Sequence, residues 1–156
     1  MLFRSRALSR VTKGSTLADK QAVQNMIADS YIEIAQFRLL VLHTAWQIDR
    51  YQDYNRARKD IAAIKVLTPR VMEAVAKRAI QIHGALGTTY DLPLTRIYAS
   101  GMMLALADGP TEVHQTTVAK QVLRGYKPAD GLWPSEYIPA RKAAAAAQLL
   151  GEKPKN

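Results

Sequence analysis

The chain has 156 residues, 48% hydrophobic and 22% charged, with a formal net charge of +9 and no cysteine. This composition excludes a disordered chain, a disulfide scaffold, thiolate metal sites and a cysteine nucleophile, and it fits a reducing, cytoplasmic setting. No apolar run approaches the ~20 residues of a membrane span, and "MLFRSRALSR" lacks the apolar core of a secretory signal.

The positive charge first suggests nucleic acid, but its distribution argues against that partner. Arg4, Arg6, Arg10 and Lys13 gather in residues 1–14 without an acid. Elsewhere bases are mixed with acids, and no basic run is interleaved with exposed aromatics. An anionic small molecule, such as a nucleotide or coenzyme, accounts for scattered bases equally well.

In chain order the signals are helical, and no strand pattern stands out. "RALSRVTK" reads as a helix closed by Gly14 as its C′ glycine. Thr16-Leu17-Ala18-Asp19 has the form of a capping box and opens a long helix running to about Gln52. Val23, Met26, Ile27, Ile34, Phe37, Val41 and Ile48 recur along it at helical spacings. "YQDYNR" breaks the pattern. A second long helix fits Arg56 to His83, with Ile61, Ile64, Leu67, Val71, Val75, Ala79 and Ile82 as its buried stripe. Pro69 inside it removes one hydrogen bond and predicts a kink.

"GALGTTYDLP" forms a loop, and Pro93 suits the start of a short third helix, "LTRIYASGMMLALA". After Asp108-Gly109-Pro110 a fourth helix spans Thr111 to Arg124. "GYKPADGLWPSEYIP" reads as an extended tail, and "ARKAAAAAQLLGEK" as a short terminal helix. The expected fold is all-α: an antiparallel, up-and-down four-helix bundle with a short extra C-terminal helix. Tyr31, Trp46, Met102 and Met103 exceed what so small a core can bury, which predicts docking to other subunits or domains.

The candidate chemistry begins at His83-Gly84-Ala85-Leu86-Gly87. Two glycines after a helix make a C-cap and turn, and they also allow a backbone to approach a phosphate or flat ring closely. His43, His83 and His114 lack metal-ligand spacing, so no metal site is expected. Gln21 and Gln81 interrupt otherwise apolar helices and read first as solvated positions. Asp108 before Gly-Pro-Thr is what a helix N-terminus shows in any case. The apolar approach "MMLALA" adds a second reading, a partly buried carboxylate whose pKa rises toward that of a useful base. Pro110 restricts the backbone beside it.

Three stretches, "SRVTKGSTLADKQAVQNMIADS" (9–30), "RAIQIHGALGTTYDLPLTRIYASG" (78–101) and "LADGPTEVHQTTVAKQVLR" (106–124), together resemble the C-terminal α-helical domain of the acyl-CoA dehydrogenase family. The likeness spans residues 6–126 and is strongest to the branch with "HGALG" and "ADGP" in place of "GGxG" and "EGT". It implies FAD as cofactor, an acyl-CoA thioester as substrate, and α,β-dehydrogenation in which a carboxylate takes the α-proton while a hydride leaves Cβ. It also implies an electron-transfer flavoprotein or similar acceptor and a homodimer or homotetramer.

Asp108 matches the family's catalytic carboxylate, usually Glu and one methylene longer. Arg10 matches the arginine that meets the FAD pyrophosphate across a subunit interface, with Thr12 following at the hydroxyl position. Lys13 stands where many members have Phe. Gln21 matches a glutamine near the adenine, and Gln81, His83 and Gly84 match the turn that meets a neighbouring subunit's FAD. Pro110 replaces a flavin-contacting Thr, while Thr111 and Glu112 remain polar at the helix N-terminus. Gly109 is implied at the substrate, and Lys120 stands where a base reaches the CoA phosphates.

Complete members carry an N-terminal helical domain and a central β-domain, and an upstream arginine that supports the carboxylate. The resemblance therefore implies a truncated gene product, inactive alone, with residues 1–5 as a scar and 127–156 as a tail bearing a short helix. The rival reading from another class is a non-catalytic helical oligomerisation module.

Overall fold

The computed structural model describes residues 2–128 and 137–150. Its elements are α1 (Leu2–Ser9), β1 (Val11–Thr12), β2 (Ser15–Thr16), α2 (Gln21–Tyr51), α3 (Tyr54–His83), α4 (Leu94–Leu104), α5 (Thr111–Leu123) and α6 (Ile138–Leu149). Among the described residues the protein is all-α apart from one hairpin. Among the described residues no helix is long and apolar enough to cross a membrane.

The hairpin corrects the first expectation. α1 ends at Ser9, and Val11 pairs with Thr16 and Thr12 with Ser15 in an antiparallel ladder. Lys13 and Gly14 both take positive φ, 48° and 79°, so Gly14 belongs to a tight hairpin turn and not to a helix cap. Two successive positive-φ residues match the twist of paired strands, and β-branched Val11, Thr12 and Thr16 suit extended backbone.

The Thr16–Asp19 motif folds as a single 3-10 turn, and α2 proper begins at Gln21. The Asp19 carboxylate accepts from Thr16 Oγ1 at 2.7 Å and from the Thr16 N–H at 2.8 Å. These bonds, the side-chain one foremost, hold the Asp19 carboxyl below its ordinary range.

α2 closes at Gln52, whose φ is 50° and whose N–H reaches the Ile48 carbonyl. Asp53 then caps α3, its carboxylate accepting from the Asn55 N–H at 2.9 Å. So short a reversal makes the two helices antiparallel. The cross-contacts agree: Gln47 donates to Asp60 near the turn, and Arg78 to Glu33 far from it. α4 runs back along the other side of α3. Its Gly101 lies over Pro69 and Glu73, and the Leu104 carbonyl meets Lys65.

α3 is the central helix, and its buried line differs from the expected stripe. Ala57, Ala62, Val66, Pro69, Ala76, Ala79, Ile82 and His83 are buried, while Ile61 is 39% exposed and Ile64, Leu67, Val71 and Val75 are half-buried. Small side chains let α2 and α4 close in on α3, which leaves the larger residues flanking the contact. In α2 the buried residues are Val23, Ser30 and Thr44. Ser30 and Thr44 satisfy their hydroxyls on their own helix, at the Met26 and Leu40 carbonyls, both 2.7 Å away.

The core cluster of Phe3, Ala7, Val23, Ala79, Ile82 and Leu94 joins α1, the start of α2, the end of α3 and the start of α4. Burying a Phe or Ile there contributes roughly 1.5–3 kcal/mol each. The opening segment is thus built into the fold: it is helical from Leu2, and Phe3 is 4% exposed. The cluster anchors the end of the bundle where α3 gives way to the "HGALG" turn. The compact unit closes at Val122, short of the expected boundary at 126. α5 contributes no buried residue. α6, in the second unit, is a helix in which half the residues are alanine, again with no buried residue. Most of the expected extended tail, 129–136, lies outside the described residues.

Candidate cofactor and base sites

The sequence-selected residues fall at two places. The first is a cavity of about 280 Å³ where α1 and the hairpin meet the end of α3, lined by Arg6, Arg10, Leu17, Gln81, His83 and Gly84 among others. Arg10 and the "QIHG" residues, far apart in sequence, meet here. Gly84 ends α3 with φ 65° and ψ −142°, its N–H shared between the Gln81 and Ile80 carbonyls. That backbone region is open essentially to glycine alone.

His83 is 7% exposed. Its Nδ1 lies 2.8 Å from the Ala79 carbonyl, which makes Nδ1 the protonated nitrogen and frees Nε2. Thr12 is half-buried on β1, and Gln21 is exposed at the first position of α2. Neither lines the cavity.

Arg6 also lines the cavity, and the sequence reading did not select it. Its Nε is buried with no hydrogen-bond partner among the described residues. The signal was available: Arg6 and Arg10 are four apart, and the Arg10 N–H continues the helical pattern to the Arg6 carbonyl at 3.1 Å. Two guanidinium groups beside a glycine turn, one with an unpaired N–H, form a donor set suited to a diphosphate. The residues present therefore fit the phosphate end of a dinucleotide such as FAD.

The second place is the turn between α4 and α5. Asp108 takes φ 60° and Gly109 φ 98°. Thr111 bonds the Ala105 carbonyl twice, through its N–H at 3.0 Å and its Oγ1 at 3.2 Å. His114 Nε2 lies 3.2 Å from the Asp108 carbonyl. Pro110 immediately precedes α5, Glu112 is exposed in its first turn, and Lys120 is exposed in its last.

The expected partial burial of Asp108 is not met: the residue is exposed. Its apolar approach is exposed with it, Met102 at 56%, Met103 at 70% and Leu106 at 73%. Among the described residues these side chains do not cover the carboxylate. Among the described residues no group of three or more His, Cys, Asp or Glu gathers as metal ligands.

The two places are well separated. The Asp108 turn lies beside Lys65 of α3, and the cavity lies at His83 of the same helix. At ~1.5 Å per residue that is roughly 27 Å along the helix axis.

The sequence matches the acyl-CoA dehydrogenase, C-terminal domain family over residues 2–123. It is 44% identical over 119 residues to acyl-CoA dehydrogenase family member 11 of Rattus norvegicus, covering 76% of this chain and 15% of that protein. It is 38% identical over 122 residues to the (R)-benzylsuccinyl-CoA dehydrogenase of Thauera aromatica, covering 76% of this chain and 30% of that protein. The fold is similar to the solved FAD complex of PigA, with a TM-score of 0.72 and 26% identity over 80% of this chain and 32% of that one. The chain therefore spans well under half the length of these relatives. With the family match running from α1 through α5, this chain belongs to the acyl-CoA dehydrogenase family as its C-terminal helical domain.

Proposed function

We propose that this domain supplies the base and part of the flavin cradle for α,β-dehydrogenation of an acyl-CoA thioester. The observation that carries the proposal is Asp108: an exposed carboxylate on a turn of positive φ immediately before α5, within the matched family region. Positive φ is uncommon outside glycine, aspartate being among the residues that tolerate it, and such backbone clusters where function fixes a group's position. Asp108 takes the proton from the substrate's Cα as the electron pair forms the new double bond and Cβ loses a hydride. FAD, when bound, supplies the hydride acceptor.

Arg10 holds the diphosphate at the far end of α3, with Gln81, His83 and Gly84 forming the adjoining wall. Thr12 and Gln21 flank that end. Gly109, Pro110, Thr111 and Glu112 border the reacting end, and Lys120 offers a cation to the CoA phosphates. The distance between the ends supports the view that one chain serves two flavins, its own at Asp108 and a neighbouring copy's at Arg10. The electron acceptor is an electron-transfer flavoprotein or a protein like it.

The decisive experiment replaces Asp108 by Asn in an FAD-loaded enzyme carrying this domain. Deuterium exchange at the substrate's Cα should fall about 10²- to 10⁴-fold with FAD still bound; unchanged exchange sinks the assignment. The 156-residue chain alone should give no dye reduction with acyl-CoA and added FAD, because base and hydride acceptor must approach the Cα–Cβ bond together. Turnover there would refute that part.

A second reading, a helical oligomerisation module, is favoured by one face of α2. Ile32, Leu39 and Trp46 recur every seven residues with Leu42 set between the last two, and each is at least half exposed. A tight oligomer without FAD, seen by size-exclusion with light scattering, would support it, and a monomer would exclude it.

A further inference from the structure

Lys65 stands in the middle of α3, half-buried, on no surface that meets the cavity at His83. Its ammonium donates to the Leu104 carbonyl at 3.2 Å and to the Ala107 carbonyl. Leu104 closes α4, and Ala107 directly precedes Asp108. The last carbonyls of a helix lack partners of their own, and its dipole places negative charge there. Such ends are usually capped from the same segment. Here the cap comes from another helix, many residues earlier in the chain.

The turn so capped carries two successive positive φ values, 60° at Asp108 and 98° at Gly109. Aspartate tolerates this conformation better than most residues, but contacts around the turn hold it there. Three groups do so. Lys65 holds the peptide before Asp108. Thr111 ties the Ala105 carbonyl to the first turn of α5. His114 lies against the Asp108 carbonyl itself.

We propose that Lys65 is the positioning residue of the base: by gripping the Leu104 and Ala107 carbonyls it fixes the backbone from which the Asp108 carboxylate projects. Lys65 touches neither substrate nor flavin in this scheme. The proposal rests on the reading of Asp108 as base for its catalytic consequence, and on the geometry alone for its structural half. It gives α3 a double task, with the flavin wall at its end and the anchor of the base at its middle.

The test has two arms. In the full 156-residue chain, NMR reads the amide-to-α-proton coupling of Asp108, which reports φ, and the hydrogen exchange of the Thr111 amide, which donates to the Ala105 carbonyl at 3.0 Å across the turn. Lys65→Met should lose the positive-φ signature and speed exchange at least tenfold, with the Ile82 and Leu94 methyl signals unmoved. Lys65→Arg should restore both. An unchanged Asp108 signature in Lys65→Met overturns the proposal. Should Lys65→Met fail to fold, Lys65→Gln keeps a shorter neutral donor and must shift the same two signals; unshifted signals there overturn it equally.

In an FAD-loaded enzyme carrying the domain, Lys65→Met should lower kcat on the order of a hundredfold. KM should stay within about twofold, because Lys65 makes no substrate contact, and Lys65→Arg should recover most of the rate. A large KM rise with kcat intact would overturn the positioning role. Asp108→Asn separates the two ideas: if it leaves α-proton exchange unchanged, the base reading fails while the NMR arm still judges Lys65.

Discussion

Arg78 of α3 meets Glu33 of α2 as a two-pronged ion pair, Nη1 to Oε2 at 2.8 Å and Nη2 to Oε1 at 2.6 Å. Both side chains are half-buried, at 21% and 33% exposure. The pair fixes the register of the two longest helices at the end away from their connecting turn. The Arg78 hydrogen bonds hold the Glu33 carboxyl below its ordinary value, and the same bonds push the Arg78 guanidinium up.

Glu33→Gln should therefore cost about 1 kcal/mol at neutral pH, the scale of a charge-assisted but partly solvated pair. A carboxyl whose folded pKa is depressed stabilises the fold above its unfolded pKa, and that contribution is lost as pH falls through the folded value. The window lies below the ordinary glutamate value of 4.5. Thermal melts of wild type and Glu33→Gln should differ at neutral pH and converge once the pH has fallen below the depressed carboxyl. A gap that persists there would show that the loss is packing, not charge.

Gly87→Ala should destabilise the turn that ends α3. A Cβ at this position would lie 2.6 Å from the Ile80 carbonyl oxygen and 2.9 Å from its Cα, both backbone atoms that cannot swing away. Overpacking of this kind costs on the order of 2 kcal/mol. Calorimetry should find a midpoint roughly 6 °C lower. An unchanged midpoint would mean that the turn has slack that the contacts do not suggest.

Arg10→Ala and Arg6→Ala should each weaken FAD binding. Loss of one charged hydrogen bond is worth about 1.5–3 kcal/mol, or roughly 10- to 100-fold in Kd. Flavin fluorescence titration of an enzyme carrying the domain measures both. Arg10→Ala alone having an effect would assign the buried Arg6 Nε to packing only.

Leu39→Glu together with Trp46→Glu should dissociate copies of the chain without unfolding them. Both side chains are exposed in the single chain, at 68% and 53%, so charges there stay solvated, and Trp46→Glu gives up ring contacts with His43 and Tyr51. Light scattering should show the smaller species, and circular dichroism the same helicity. An unchanged mass would remove this face of α2 from any interface.

The helices were legible because long periodic segments declare themselves: the expected ends at Gln52 and His83 stand within one residue of those of α2 and α3. The hairpin at 11–16 was not, because strands of two residues carry no alternation to read. The expected buried line of α3 holds at Ala79 and Ile82 but not earlier in the helix, where apolar size is a poor guide: a central helix buries its alanines and displaces Ile61 outward. The meeting of Arg10 with Gln81, His83 and Gly84, like the contacts of Arg6 and Lys65, is set only by tertiary folding and is not legible in the sequence. Burial at Asp108 was inferred from its apolar neighbours, but local apolarity does not say whether anything arrives to cover them.

The distance along α3 between the Arg10 cavity and the Asp108 turn has a genetic consequence. Two defective genes, one encoding Arg10→Ala and the other Asp108→Asn, are complementary under the shared-flavin reading. Mixed pairs of the two products contain one flavin position with both lesions and one with neither. Co-expression should then recover part of the activity that each variant lacks alone, the signature of a site assembled from two copies.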